Sequence, residues 1–326
     1  MHRLPRTRVP NAGEQKHEPA LSENEQFAVI QYDPHRWLDH LFDIRGSLVR
    51  EIGLRVGLCA LWSVAVVIFH YHVLHVGTPV VLHSLVGVAL GLLLVFRTNA
   101  SYDRYWEGRR LWGGIVNETR NLIRGASVYL AGDTALLQSL TRWTAIYPWA
   151  VMSVLQGESI FGSSADELPP GQQTTLRTCQ HPALLVSQRM TACLNEAREK
   201  SLITDVLQAS LDANIQQLVD YLGGCERIRK TPLPFAYVVH LRRALIIYCF
   251  SLPFALVESF GWFTILDVLF VAYTFFGIEE IGVEIEGPFG NDENDLPMQD
   301  ICETIHRNVY ALAGMSASVR EALPPA

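Results

Sequence analysis

From Val56 to Phe96 the chain runs for 41 residues without one Asp, Glu, Lys or Arg. A helix needs roughly 20 apolar residues to cross about 30 Å of hydrocarbon. The run is therefore too long for one span and long enough for two. Its middle, His70-Tyr71-His72 to Gly77-Thr78-Pro79, carries the turn-forming and interfacial residues. The expectation is a helical hairpin in a membrane, with spans at about 52–69 and 80–96 and a turn between them.

Basic residues fix the expected orientation. Arg45, Arg50 and Arg55 precede the first span, and Arg97, Arg104, Arg109 and Arg110 follow the second, while the turn holds only His. The positive-inside rule places both ends of the hairpin in the cytoplasm. A second apolar block runs from Ala244 to Ile278, interrupted by Glu258 and Asp267. Gly261-Trp262 within it suggests an interfacial turn, giving a second hairpin with spans at about 238–257 and 262–281. Arg242 and Arg243 before it again mark a cytoplasmic entry.

Between the hairpins, residues 98–235 read as helices of a cytoplasmic domain, with apolar residues such as Leu207, Leu211, Ile215, Leu218 and Leu222 at spacings of three and four. Residues 157–175, rich in Gly, Ser and Pro, read as a loop, and Thr231-Pro232-Leu233-Pro234 as a helix break. Residues 1–26 are polar and lack the apolar core of a secretory signal, so they read as a disordered tail. Residues 27–315 form one domain, in which Trp37, Leu38, Leu41, Phe42 and Ile44 suit a helix on the membrane surface. Residues 316–326 form a second tail. The chain is thus expected to be an all-α, multi-pass membrane protein with both termini cytoplasmic, in the inner or plasma membrane if its source is bacterial.

Composition excludes little by itself, since 49% apolar residues is ordinary for a soluble protein. A net charge of −7 gives no footprint for nucleic acid. None of the six cysteines has C-x-x-C spacing, and no H-E-x-x-H or nucleophile motif appears, so no enzyme is expected.

Two segments carry a resemblance. GLLLVFRTNASYDRYWEGRRLWGGIVNETRNL resembles the bestrophin signature at the end of the second span. EEIGVEIEGPFGNDENDLPMQ resembles the acidic Pro-Phe-Gly segment after that family's last span, and PLPFAYVVH between them is similar to the start of its third span. The match covers about residues 35–315 and leans to the bacterial and plant branches. It implies a homopentamer of helical subunits around one axial pore, passing chloride and other monovalent anions. A cation-selective channel of the same fold, a non-conducting scaffold and a membrane metalloenzyme are the alternatives.

Val88, Leu92 and Phe96 lie four apart, so they share a helix face. The resemblance makes them the apolar neck of the pore, which gates by dewetting. It makes Val206 a second, cytoplasmic constriction. Arg97 and Asn99, at the membrane edge, are the candidate anion contacts. Gly87 and Gly91 suit a close helix approach. The acidic segment resembles the calcium clasp of animal bestrophins, with Asp292 and Asp295 as candidate ligands for Ca²⁺. Gly287 stands where the family's Asn is expected, so the expectation is no cofactor, with Ca²⁺ the one candidate. His70, His72, His75 and His83 cluster near the outer turn, with metal binding the minor reading. Asp267 should find an arginine on a neighbouring helix.

Overall fold

The computed structural model describes residues 48–322, and the candidate surface helix around Trp37 and the first tail lie outside them. Among the described residues the chain is all helical, with ten α-helices and one short 3₁₀ turn. Three stretches, Val49–His72, Val80–Tyr129 and Phe235–Glu284, are long and apolar enough to cross a membrane.

Helix α1 is Val49–His72. It overruns the expected end at Phe69, because nothing breaks it before the turn at residues 73–79. His70 organises that turn: its Nδ1 lies 2.8 Å from the Val76 carbonyl oxygen and 3.2 Å from the Val76 nitrogen. The Thr78 N–H donates to the Phe254 carbonyl at 3.0 Å, tying the turn to a later helix. Pro79 then caps α2, Val80–Tyr129, a single rod of 50 residues. At 1.5 Å per residue it is about 75 Å long, far more than a bilayer's thickness. Its apolar first third and its polar remainder are one continuous element.

Helix α3, Thr134–Gln156, is buried along most of its length and is capped by Asp133, which accepts from the Leu136 N–H at 3.0 Å. The stretch expected as a loop at 157–175 instead holds α4, Gly162–Asp166, and most of α5, Pro170–Thr178. The physical reason is Pro169-Pro170. Pro at the first helical position costs no hydrogen bond and presets φ, and Gln173 folds back to donate to the carbonyls of Asp166 and Leu168. Helices α6, Pro182–Glu199, and α7, Asp205–Lys230, follow, with α7 ending before Pro232 as expected.

Helix α8 is Phe235–Phe260 and α9 is Thr264–Glu284. The break between them is Gly261, whose φ of 54° lies in the left-handed region that a side chain disfavours. Tyr71 stacks on Trp262 beside this break at 6.0 Å between ring centroids. Helix α10, Met298–Ala322, continues past the boundary expected at residue 315.

Two apolar cores result. One gathers α1, the start of α2, α8 and α9 through Ile52, Leu90, Leu94, Leu245 and Phe276. The other, far larger, packs α3, α6, α7 and α10 against the rest of α2 through Trp112, Leu140, Ile146 and Leu218. Tyr147 stitches the second core by donating to the Leu218 carbonyl at 2.7 Å.

Candidate functional site

The apolar first third of α2 has two faces. Leu90, Leu94, Arg97 and Ser101 point inward and are buried. Val88, Leu92 and Phe96 point outward, 76%, 55% and 57% exposed. Val81 and Leu85 extend that stripe toward the outer turn, and Asn99 and Asp103 extend it the other way. None of the other described residues covers it. Exposed apolar side chains in such a row require lipid, another subunit or a pore axis. Val206 sits in the first turn of α7 and is 77% exposed, an unusual place for valine unless it too meets another copy or a lumen.

The two glycines of this segment differ. A Cβ on Gly87 would lie 2.7 Å from the Tyr248 hydroxyl, so the absence of a side chain lets α8 approach there. Gly91 faces open space within this chain, so the expected close approach holds at Gly87 alone.

Arg97 differs from expectation. It is not an open contact for an anion but a buried residue, 1% exposed, turned toward α9. Its Nη2 lies 3.7 Å from Glu279 Oε1 and 3.5 Å from Glu286 Oε2. The cause is the helix period. Three residues after Leu94, position 97 falls on the inward face, and a buried guanidinium requires carboxylate partners. Asn99 remains exposed on the outward face.

Arg97 belongs to a layer of charge that closes the smaller core. Arg55 of α1 meets Glu280 at 2.5 Å and Glu279 at 3.7 Å. Arg242 of α8 donates from Nε to Glu279 Oε1 at 2.8 Å. Glu286 Oε1 accepts from the Leu233 N–H at 3.0 Å. Arg104, one turn beyond Ser101, donates to the carbonyls of Glu286, Ile228 and Thr231, clamping the ends of α7 and α9 to α2. Sequence reading used Arg55 and Arg242 only as topology markers. The signal was present: an Arg stands just before each of two apolar runs, and Glu-Glu stands at the end of a third.

The carboxylates of the acidic segment are engaged locally. Among the described residues no three His, Cys, Asp or Glu side chains are placed to hold a metal. Asp295 Oδ2 instead accepts the Asp292 N–H at 2.8 Å, and Glu284 Oε2 accepts from Asn294 at 2.6 Å. Burial, with Asp292 and Glu284 adding repulsion, pushes the Asp295 carboxyl up to about 6. Gly287 is open and adds no side-chain oxygen. Of the histidines, His70 holds the turn with the His75 ring 4.9 Å from its own, while His83 Nε2 lies 3.0 Å from Ser251 Oγ. Asp267 has no arginine among the described residues, and its buried Oδ2 has no hydrogen-bond partner there.

Apolar helices with uncovered faces, closed at one end by a charge layer and continued into a helical block, define a membrane protein whose exposed apolar faces are left to lipid or to further copies. The comparisons name its family. Residues 29–311 match the family described as Bacterial/Fungal Bestrophin protein. A Nostoc protein named voltage-dependent anion channel-forming protein is 40% identical over 87% of this chain and 94% of its own. A protein of the same designation from Escherichia coli K12 is 32% identical over 82% of this chain and 89% of its own. A crystal structure of a bacterial bestrophin homologue from Klebsiella pneumoniae superposes with a TM-score of 0.76 at 30% identity, covering 81% of this chain and 98% of that one. The chain belongs to the bestrophin family and is a membrane protein.

Proposed function

We propose that this chain is an anion channel of the bestrophin type. Five copies surround one axis, each presenting the outward stripe of α2 to it. In this reading Val88, Leu92 and Phe96 stack as three apolar rings, one per helical turn, about 5.4 Å apart. An ion passing them sheds water and gains no full replacement, so the rings set the barrier and gate by wetting. Val206 forms a second constriction at the other end of the path, and Asn99 lies on the route between. The observation that carries the reading is that stripe: an apolar row exposed along α2, in a chain whose relatives bear the name anion channel-forming.

The four-span topology follows from the break at Gly261, which divides the last apolar stretch into α8 and α9. Helices α1, α2, α8 and α9 then each cross once, with Arg55, Arg97 and Arg242 on the cytoplasmic side. Both termini and the larger core are cytoplasmic. The channel needs no Ca²⁺, because Asp292, Asp295 and Gly287 do not make a calcium donor set.

Planar-bilayer recording of the purified protein in asymmetric salt tests the function. Currents reversing toward the chloride equilibrium potential are expected, and unchanged by a calcium chelator. Reversal toward the cation's potential makes this a cation channel of the same fold. Silence in the presence of intact oligomers makes it a scaffold.

A further inference from the structure

The charge layer is balanced, three arginines against three glutamates, and Glu279 is its hub. It is 2% exposed and is met by arginines from three helices, Arg55, Arg97 and Arg242. Arg97 is the anomaly. None of its three nitrogens has a hydrogen-bond partner, and its ion pairs stand at 3.5 and 3.7 Å. Its Nε would lie 3.1 Å from a Cβ on Gly282, so it is pressed against the α9 backbone. A buried guanidinium held at that range is kept by charge, not by well-formed hydrogen bonds. It is also the only buried residue of α2 between Leu94 and Ser101. At that level, charge and not apolar packing sets how α2 is turned.

Phe96 is the residue before Arg97. Neighbours on a helix point about 100° apart, so an Arg97 fixed inward fixes the direction of Phe96. We propose that Arg97 and Glu279 are positioning residues for the neck, forming a latch that holds the Phe96 ring at its radius. The proposal rests on the reading of Val88, Leu92 and Phe96 as neck. If Glu279 loses its charge, the layer carries a net positive charge and Arg97 loses one of its two counter-ions. It then moves toward water, α2 turns, and the Phe96 ring dilates.

A double-mutant cycle separates a latch from a merely structural glutamate. Glu279→Gln should raise open probability by about fivefold or more, the usual scale of a coupling between sites. In the Phe96→Ala background the same change should add nothing, because the ring it positions is gone. An equal effect in both backgrounds overturns the latch. Glu279→Asp, which keeps the charge, should gate more nearly like wild type than Glu279→Gln does. Should Glu279→Gln fail to assemble, Arg97→Gln carries the same cycle, removing the charge on the other side of the latch while keeping a polar side chain.

A second measurement needs no current. A nitroxide at Phe96→Cys, in a chain with the partly exposed Cys179 replaced by serine, reports side-chain order and the separation between copies; the other five cysteines are buried. Glu279→Gln should broaden the distances at position 96 and leave those from a label at Leu85→Cys unchanged. Identical spectra at position 96 overturn the latch. A silent wild type defeats the channel reading, while the spin labels still decide whether Glu279 positions residue 96.

Discussion

The two cores of this chain are built from similar residues and obey different rules. In the larger one, α3 is buried on nearly every side, and Trp112, Ile115, Leu122 and Ile123 of α2 are wholly enclosed. In the smaller one, less than a third of each span's most apolar stretch is buried. Among the long helices, the short α4 and α5 of the larger block apart, capping divides in the same way. Asp133, His181 and Thr204 each accept a backbone N–H at the start of α3, α6 and α7. Leu48, Pro79, Pro234 and Phe263, which precede α1, α2, α8 and α9, make no side-chain cap. A helix end surrounded by water gains from a polar cap, and its apolar face must find protein. A spanning helix is held by the bilayer's demand for internal hydrogen bonds and can leave its apolar face to lipid or to another copy. The larger block thus encloses its apolar surface within one chain, and the smaller leaves much of its own to lipid or to another copy.

The widest gap between the regions should appear in stability. Trp112→Ala, in the larger core, should cost about 3–5 kcal/mol, the range for truncating a buried aromatic. Phe270→Ala, on an exposed face of α9, should stay within about 0.5 kcal/mol if that face meets lipid. Denaturation in detergent with intact oligomers measures both. A large cost at Phe270 would show that its face packs against a neighbouring subunit.

Within α2 alone, two residues separate packing from conduction. Leu90 is buried in the smaller core and Leu92 is on the open stripe. Leu90→Ala should cost about 2–5 kcal/mol of stability and leave single-channel conductance unchanged. Leu92→Ala should cost little stability and raise the open fraction by widening the middle ring. The reverse pattern would mean that the stripe faces lipid and the axis lies elsewhere.

How far the sequence foretold this differs by region. The charge-free run from Val56 to Phe96 and the Gly261 break made four apolar helices legible, because hydrocarbon thickness and unsatisfied backbone leave few alternatives. The face of α2 that bears Val88, Leu92 and Phe96 was legible from spacing. What was not legible was contact over long sequence distance. Nothing local in Arg97 distinguishes a residue that reaches into solvent from one that meets Glu279 and Glu286, nearly two hundred positions away. The helices at 162–166 and 170–178 were hidden because Pro-Pro signals a break and a helix start with the same residues.

Between the two blocks lies the acidic segment, and its response to pH should be modest. Asp295 holds its proton more tightly folded, at about 6, than at the ordinary 3.8 of an unfolded carboxyl. The folded state therefore binds more protons through that window. It gains relative stability as pH falls from 6 toward 3.8 and loses it as pH rises through 6. Melting temperatures at pH 7 and pH 5 should differ in favour of pH 5, by a few degrees at most because the group is partly solvated. Asp295→Asn should flatten the difference. If the dependence persists in that variant, another carboxylate carries it.

The smallest expected effect joins the two regions' rules at one residue. Thr204 Oγ1 accepts the Leu207 N–H at 3.3 Å and so caps α7, two residues before the exposed Val206. Removing the cap in Thr204→Ala should cost about 0.5–2 kcal/mol, while Thr204→Ser should cost almost nothing. If Val206 forms the second constriction, the same change should act on current as well, since an uncapped first turn frays and lets the valine wander. Thr204→Ala should then raise the variance of open-channel current without moving the reversal potential, and Thr204→Ser should restore the wild-type noise. A stability loss with no change in noise would leave Thr204 an ordinary cap and would place Val206 away from the conduction path.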